Sequence, residues 1–485
     1  MPPSFSSILD ECTDRLMRGA KEKGGKYKYA EGDFNDKSRL QPVKLQPSWE
    51  ENNLPEDELN FRSLTMDEAS LALNQPPDKF KLVYLTFLIH GIGVLMPWNM
   101  FITAMDYFIG YKLSEGYIGF TFPYIPNFMQ YLTFCSQIPN VAFNWMNIFV
   151  QIGGSMTTRV VWSIIAGVVL FIVTVALAMI DTSGFAYGFF WITMITVVLM
   201  NMANGIYQNT IYGMAAKLPP QYTGAVVLGN NISGTFAAIV SLVSSMTTDN
   251  IRMAAIYYFI TALFVLLICF DTYFALPLNR FYRHFELKDK TQQQKASKSG
   301  IKEKPPYWEI FKKSFPQLAN VFMVFFVTLA VFPAVYADVK PVSKDFPIQK
   351  YFASVTCFIT FNIMAMLGSL LPSLVIWPAP KWLWIPVVLR FAYIPFFLLC
   401  NYQVVGVERV MPVLIKNDWA YWVISSTMGF TSGYWSSLAM MYTPRQVEDR
   451  HAPMAGMFAA AALITGIFTG ILITFLWPWV IGHVG

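Results

Sequence analysis

Residues 160–180 read VVWSIIAGVVLFIVTVALAMI, 21 positions without one charged side chain. A helix needs about 20 predominantly apolar residues to cross a hydrocarbon core of about 30 Å. The run does not alternate apolar with polar, so it does not suit a barrel strand. It lies in the third of eleven such runs: 81–108, 121–150, 157–180, 186–216, 222–246, 252–276, 318–337, 351–376, 382–403, 418–442 and 452–482. The pattern predicts an all-α polytopic membrane protein with eleven transmembrane helices.

Composition agrees. Of 485 residues, 55% are hydrophobic and 13% are charged. Soluble domains carry roughly 25% charged residues, and a soluble globule of this make-up would expose large apolar patches. A soluble enzyme and a nucleic-acid binder are therefore excluded, and the net charge of +5 is too small to imply a polyanionic partner. Cys12, Cys135, Cys269, Cys357 and Cys400 are widely spaced and odd in number, which gives no disulfide framework and no metal-binding pair. They read as small buried hydrophobes. No cofactor and no metal is expected.

Residues 1–80 hold 15 acidic and 11 basic residues and no apolar segment near Met1. They read as a disordered cytosolic tail with helical fragments around Leu64–Leu73, not as a signal peptide. Residues 277–317 carry ten Lys/Arg against four Asp/Glu and divide the runs into six and five. The expected domains are a six-helix bundle at 81–276, a basic cytosolic linker at 277–317 and a five-helix bundle at 318–485, a plan common among transporters. Loops after the even-numbered runs hold fifteen Lys/Arg and the opposite loops hold seven. The positive-inside rule then puts the N-terminus in the cytosol and the C-terminus outside. The sequon Asn231-Ile232-Ser233 falls inside a predicted helix and is read as helix, not as a glycan site.

Polar groups at membrane depth need partners, so they are the informative residues. In the first run, Gly91-Ile92-Gly93-Val94-Leu95-Met96-Pro97-Trp98-Asn99 breaks the apolar pattern. Pro97 removes a backbone hydrogen bond. Asn99 then reads either as one side of an interhelical bond at a packing kink or as part of a substrate-facing turn. The fourth run is the most polar, with Asn201, Asn204 and Gln208 at i, i+3 and i+7 on one face, then Asn209 and Thr210. Amides donate and accept. Such a stripe is met by amides of another helix or by a neutral hydrogen-bonding solute. The fifth run adds Asn230 and Asn231 among Gly224, Gly229 and Gly234, glycines that permit close helix approach. The second adds Gln137 and Asn140 around Pro139. Charges at depth are few: Arg390 reads as a structural or gating residue and His90 as a packing residue, while Lys and Glu are absent from the run centres. With no chain of titratable groups and no acidic cluster, transport is expected to be passive. Intramembrane proteolysis or acyl transfer needs paired carboxylates or a catalytic His motif, which the runs lack, and eleven spans do not suit a seven-helix receptor.

Pro97-Trp98-Asn99-Met100-Phe101-Ile102-Thr103-Ala104 resembles the PWNxFITA signature of the equilibrative nucleoside transporters. The likeness continues through Asn201…Gln208-Asn209-Thr210-Ile211-Tyr212-Gly213-Met214-Ala215, Leu218-Pro219, Tyr222-Thr223, Gly229 and Gly234. It resumes at Phe361-Asn362, Leu367-Gly368, Arg390…Pro395…Cys400-Asn401, Pro444-Arg445 and Ala455-Gly456, and so covers about residues 80–482 in order. The resemblance implies a major-facilitator-like 6+5 arrangement and facilitated diffusion of purine and pyrimidine nucleosides by alternating access, by a monomer in the lipid bilayer. It implies that Gln208 bonds the nucleobase, that Trp98, Leu95, Asn99 and Ile102 line the cavity with Gln137, Asn140 and Asn204 close by, and that Asn362 lies near the ribose. Pro97, Gly229, Gly234 and Arg390 fall to gating or structure.

One motif departs. Many relatives read FNxxDxxGR in the eighth run, and the Asp and Arg contact ribose; here those positions are Ala365 and Ser369. The pair is lost together, so no buried charge is stranded. Ser369, Asn362 or water would serve the sugar instead; the alternative is a carrier of nucleobases or of a broader range of small solutes, with protons an influence on it. The monoamine-carrying branch of the family uses an acidic residue in the fifth run; none is present here, which favours nucleosides. The family's usual place is the plasma membrane. Lysosomal or endosomal membrane is the alternative, although the tail has no acidic dileucine signal.

Overall fold

The computed structural model describes residues 76–150, 154–247, 250–298, 305–343, 349–404 and 407–484. The predicted tail and the fragment around Leu64–Leu73 lie outside the described residues, apart from the last few positions before the first helix. Among the described residues the regular secondary structure is helical, save for one isolated bridge between Val339 and Tyr402.

Each predicted run contains helix, although helix ends at Ser373 within the run 351–376 and at Leu398 within the run 382–403. The elements are α1 Leu82–Thr103, α2 Phe128–Phe149, α3 Met156–Met179, α4 Ala186–Ala215, α5 Pro220–Thr247 and α6 Ile251–Ala275. Next come α7 Arg280–Lys298, α8 Tyr307–Val331, α9 Thr360–Leu370, α10 Trp384–Leu398, α11 Asp418–Tyr442, α12 Ala452–Thr474 and the short α13 Trp477–His483. In lipid each backbone N–H and C=O must bond within its own segment, and a helix alone does this for a single run. Eight of the described helices are long and apolar enough to cross a membrane. The segments α2 and α11 are not among them because their faces carry amides and hydroxyls, and α10 is shorter. Within the stretch expected as a polar linker, α7 occupies the first half, and α8 begins at Tyr307, eleven residues before the apolar run.

Caps set several boundaries. Ser155 Oγ accepts from Thr158 N at the start of α3, Asn250 Oδ1 from Met253 N before α6, and Asn417 Oδ1 from Trp419 N before α11. Each satisfies a donor left free at a helix N-terminus. A π-helical stretch, Ala353–Ile359, leads into α9, and Arg390–Ala392 forms a 3-10 turn in the middle of α10.

Helices α1 to α6 pack on one another, as do α8, α9, α11 and α12. The two sets meet along two matching seams: α12 lies against α2 and α4, and α5 lies against α9 and α11. Each seam has one helix of one set between two of the other, which is the relation an internal two-fold repeat produces. Trp145 Nε1 donates to Thr465 Oγ1 at 2.9 Å in the first seam, and the rings of Phe134 and Phe475 stack at 5.9 Å farther along it.

Close approach governs α1 against α5. A Cβ on Gly229 would overlap the Leu88 carbonyl oxygen, and one on Gly91 would overlap that of Val226. The outward faces are apolar: Trp162 and Ile172 of α3, Trp191 and Ile195 of α4, and Tyr257 and Phe264 of α6 are exposed. In water such a surface would drive association; in lipid it is the solvated face.

Candidate functional site

Helix α2 places Gln137, Asn140, Asn144 and Asn147 at i, i+3, i+7 and i+10, a single buried face turned toward α4. Gly205 of α4 lets the two backbones come together, since a Cβ there would lie 2.7 Å from the Asn140 carbonyl oxygen. Between them the amides join in one directed chain. Arg159 Nη1 donates to Asn147 Oδ1 at 3.3 Å, and Asn147 Nδ2 donates to Asn209 Oδ1 at 2.9 Å. Asn209 Nδ2 donates to Asn144 Oδ1 at 2.9 Å, and Asn144 Nδ2 donates to Gln208 Oε1 at 3.3 Å. Gln208 Nε2 then ends the chain, donating to no acceptor among the described residues. Two acceptors nearby on α2, Gln137 Oε1 and Asn140 Oδ1, are buried without a protein partner. A free donor and two free acceptors on one wall match a solute whose edge carries both kinds of group.

The α1 residues lie on a helix that packs chiefly against α5 and α6 and also touches α4. Leu95, Trp98, Asn99 and Ile102 are half-buried, and Pro97 is buried inside the helix. Asn99 Nδ2 donates to Ser233 Oγ of α5 at 3.0 Å, so the interhelical bond is realised. Asn231 Nδ2 donates to Ser369 Oγ of α9 at 2.5 Å, and Ser369 Oγ donates to its own helix at Ala365 O, 2.8 Å. Asn362 Nδ2 bonds Phe358 O at 2.8 Å, and its side chain fills the space that Gly234 leaves open. Ala365 is buried. Thus Asn362 and Ser369 meet α5, and Asn140 and Gln208 lie on the α2–α4 wall. Within the predicted α4 stripe, Asn201 turns back to Val197 O at 2.9 Å, and Asn204 is buried.

Arg390 is buried and bonds groups on two neighbouring helices. Its Nη1 donates to Thr431 Oγ1 at 2.6 Å and to Met428 O at 3.3 Å, and its Nη2 donates to Thr328 Oγ1 at 2.8 Å. It ties α8, α10 and α11. His90 Nδ1 lies 2.6 Å from Tyr207 OH in a fully buried contact, while its Nε2 is buried without a partner. Among the described residues no group of His, Cys, Asp and Glu is placed to hold a metal ion.

Asn144, Asn147, Arg159 and Ser233 were not singled out from the sequence. The signal for the first two was present, since they extend the Gln137–Asn140 spacing by further helical turns. The Arg159 and Ser233 contacts depend on tertiary packing, and no local spacing announces them.

The nucleoside transporter family model matches residues 194–479. Human equilibrative nucleoside transporter 1 is 29% identical over 452 residues, covering 83% of this chain and 98% of its own length. Human equilibrative nucleoside transporter 2 is 30% identical over 452 residues, with the same two coverages. Rat equilibrative nucleoside transporter 3 is 27% identical, covering 84% of this chain and 90% of its own length. Among solved structures, the major facilitator superfamily proton:xylose symporter XylE superposes with a TM-score of 0.51 at 14% identity, over 85% of this chain and 87% of its own. That likeness is one of fold, and it agrees with the paired seams described above. The chain belongs to the nucleoside transporter family.

Proposed function

We propose that this protein carries nucleosides, purine and pyrimidine, across a membrane by facilitated diffusion and alternating access. It is a transporter and not an enzyme. The observation that carries the reading is the α2–α4 wall, where Gln208 Nε2, Gln137 Oε1 and Asn140 Oδ1 retain unused hydrogen-bonding capacity at membrane depth. Nucleobases carry ring acceptors and exocyclic donors on one edge, so they complement such a wall without any charge. The half-buried face of Trp98 gives the base a flat surface to lie on. The sugar falls to the α5–α9 seam, where Asn362, Asn231 and Ser369 supply neutral groups in place of a charged pair.

The carrier works as a monomer in the bilayer, with eleven spans in sets of six and five, the N-terminus in the cytosol and the C-terminus outside. The basic loops support this orientation. Lys217, Arg445 and the basic face of α7 lie at the end where α4 meets α12. The plasma membrane is its place. The test is counterflow: proteoliposomes preloaded with unlabelled uridine should take up labelled uridine faster than empty ones. Equal rates in loaded and empty vesicles would reject a carrier mechanism.

A further inference from the structure

The amide chain has a direction, and one of its members reaches out of the helix set that contains it. From Arg159 to Gln208 every link is donated the same way, so a single polarity runs from a guanidinium to the free Nε2 of Gln208. Hydrogen bonds in such a line polarise one another. The charged donor at its head fixes the sense of every amide below it. Gln208 can therefore turn its Oε1 only toward Asn144 and its Nε2 only away. Asn209 is the branch point: besides Asn144 it donates to Met457 O of α12 at 2.8 Å, across the seam to the other helix set. It is fully buried, and its two N–H groups and its oxygen are all engaged. Around that bond the two helices touch closely, since a Cβ on Gly213 would lie 2.8 Å from the Met457 side chain and one on Gly456 would lie 2.7 Å from Tyr212 O.

We infer that Asn209 is a positioning residue that orients the Gln208 amide through Asn144 and links that orientation to closure of α4 on α12 through the Met457 carbonyl. This rests on the nucleoside reading above. When α4 and α12 part, Asn209 loses one of its three partners and is held only by Asn147 and Asn144, so its amide is fixed less tightly. The Gln208 donor is then less firmly presented. The substrate site is thereby informed of the state of the seam without touching it. Asn144 transmits orientation only, because it makes no bond to α12 among the described residues.

The experiment uses the full-length transporter with Asn209→Leu and Asn144→Leu. Both are read by competition of labelled adenosine uptake with deazaadenosines, each lacking one ring-nitrogen acceptor. In the wild type at least one deaza analogue should compete about tenfold less well than adenosine, the effect of one lost hydrogen bond. Both variants should erase that gap while still transporting, whereas a residue that only supports packing would weaken all competitors equally. Gln208→Ala should erase it too, and adding Asn209→Leu to it should change discrimination no further. A second readout follows the seam: thiol labelling of Met457→Cys in a chain with its native cysteines replaced. Asn209→Leu should raise that rate, and Asn144→Leu should leave it unchanged. A gap preserved in both variants, or absent for every analogue in the wild type, would overturn the inference. If Asn209→Leu does not fold, Asn144→Leu decides the orientation claim alone. Failure of the wild type to transport adenosine at all would instead refute the nucleoside reading.

Discussion

Asn231 of α5 donates its Nδ2–H to Ser369 Oγ of α9 at 2.5 Å, across one of the two seams between the helix sets. By the motif resemblance noted above, Ser369 takes the position of an arginine and Ala365, one helical turn earlier, that of an aspartate. The neutral bond occupies the place of a charged pair. Ser369→Arg alone would set a guanidinium against an amide donor in a buried seam, with no carboxylate to meet it. We expect a loss of stability of about 3 kcal/mol or more. Ala365→Asp with Ser369→Arg should recover most of it, because residues at i and i+4 face one another. Thermal unfolding of purified protein reads both. Equal stability of the single and double variants would refute this account of the motif's joint loss.

Gly229→Ala should be among the most damaging single changes in the N-terminal half. Its Cβ would overlap the Leu88 backbone carbonyl, which cannot rotate away as a side chain would. Overpacking of this kind costs about 1–3 kcal/mol. The measurement is folded yield and midpoint of unfolding, with Gly116→Ala as the control, since a Cβ at Gly116 meets nothing within 4 Å.

Arg390→Met should reduce stability without changing which solutes compete. The guanidinium serves Thr328, Thr431 and the Met428 carbonyl, all structural groups on α8 and α11. Hydrogen bonds to a charged group contribute about 1.5–3 kcal/mol each, less what methionine regains by packing. A shift in substrate preference at unchanged stability would place Arg390 in the substrate site instead.

Uptake should be flat across neutral and mildly acid pH and indifferent to a proton gradient. No carboxylate stands among the proposed substrate residues. Outside the spans, Asp181 is held to about 2 by the Tyr117 hydroxyl and the Ser183 N–H. A carboxyl with a lowered pKa stabilises the fold above its ordinary value near 3.8, and the effect is lost only as pH falls toward about 2. That window lies below any working pH. Acceleration by an inward proton gradient would contradict the passive mechanism.

The extent to which the sequence disclosed this molecule follows from where its information is local. The spans were legible because each apolar run carries its own evidence; residues 157–180 and the α3 boundaries Met156–Met179 nearly coincide. Gln208, Asn140 and Asn99 were legible as amides in apolar surroundings. What bonded them was not: that Gln208 meets Asn144, and Asn99 meets Ser233, depends on rotations of helices 64 and 134 residues apart in sequence. The extent of α7 was hidden for a related reason. Its basic and glutamine-rich composition reads as linker by charge, yet a polar segment at a membrane surface forms helix when part of it has a face to pack, as Phe281 does here.

The central claim is that a neutral amide wall ending at Gln208 recognises nucleosides for passive transport. Its most direct test is saturable uptake of labelled adenosine and uridine into proteoliposomes carrying the wild type or Gln208→Ala. The account predicts saturable uptake of both by the wild type without an ion gradient, and about tenfold weaker uptake by the variant at low substrate concentration. Undiminished uptake by Gln208→Ala, or no saturable uptake by the wild type, would contradict it.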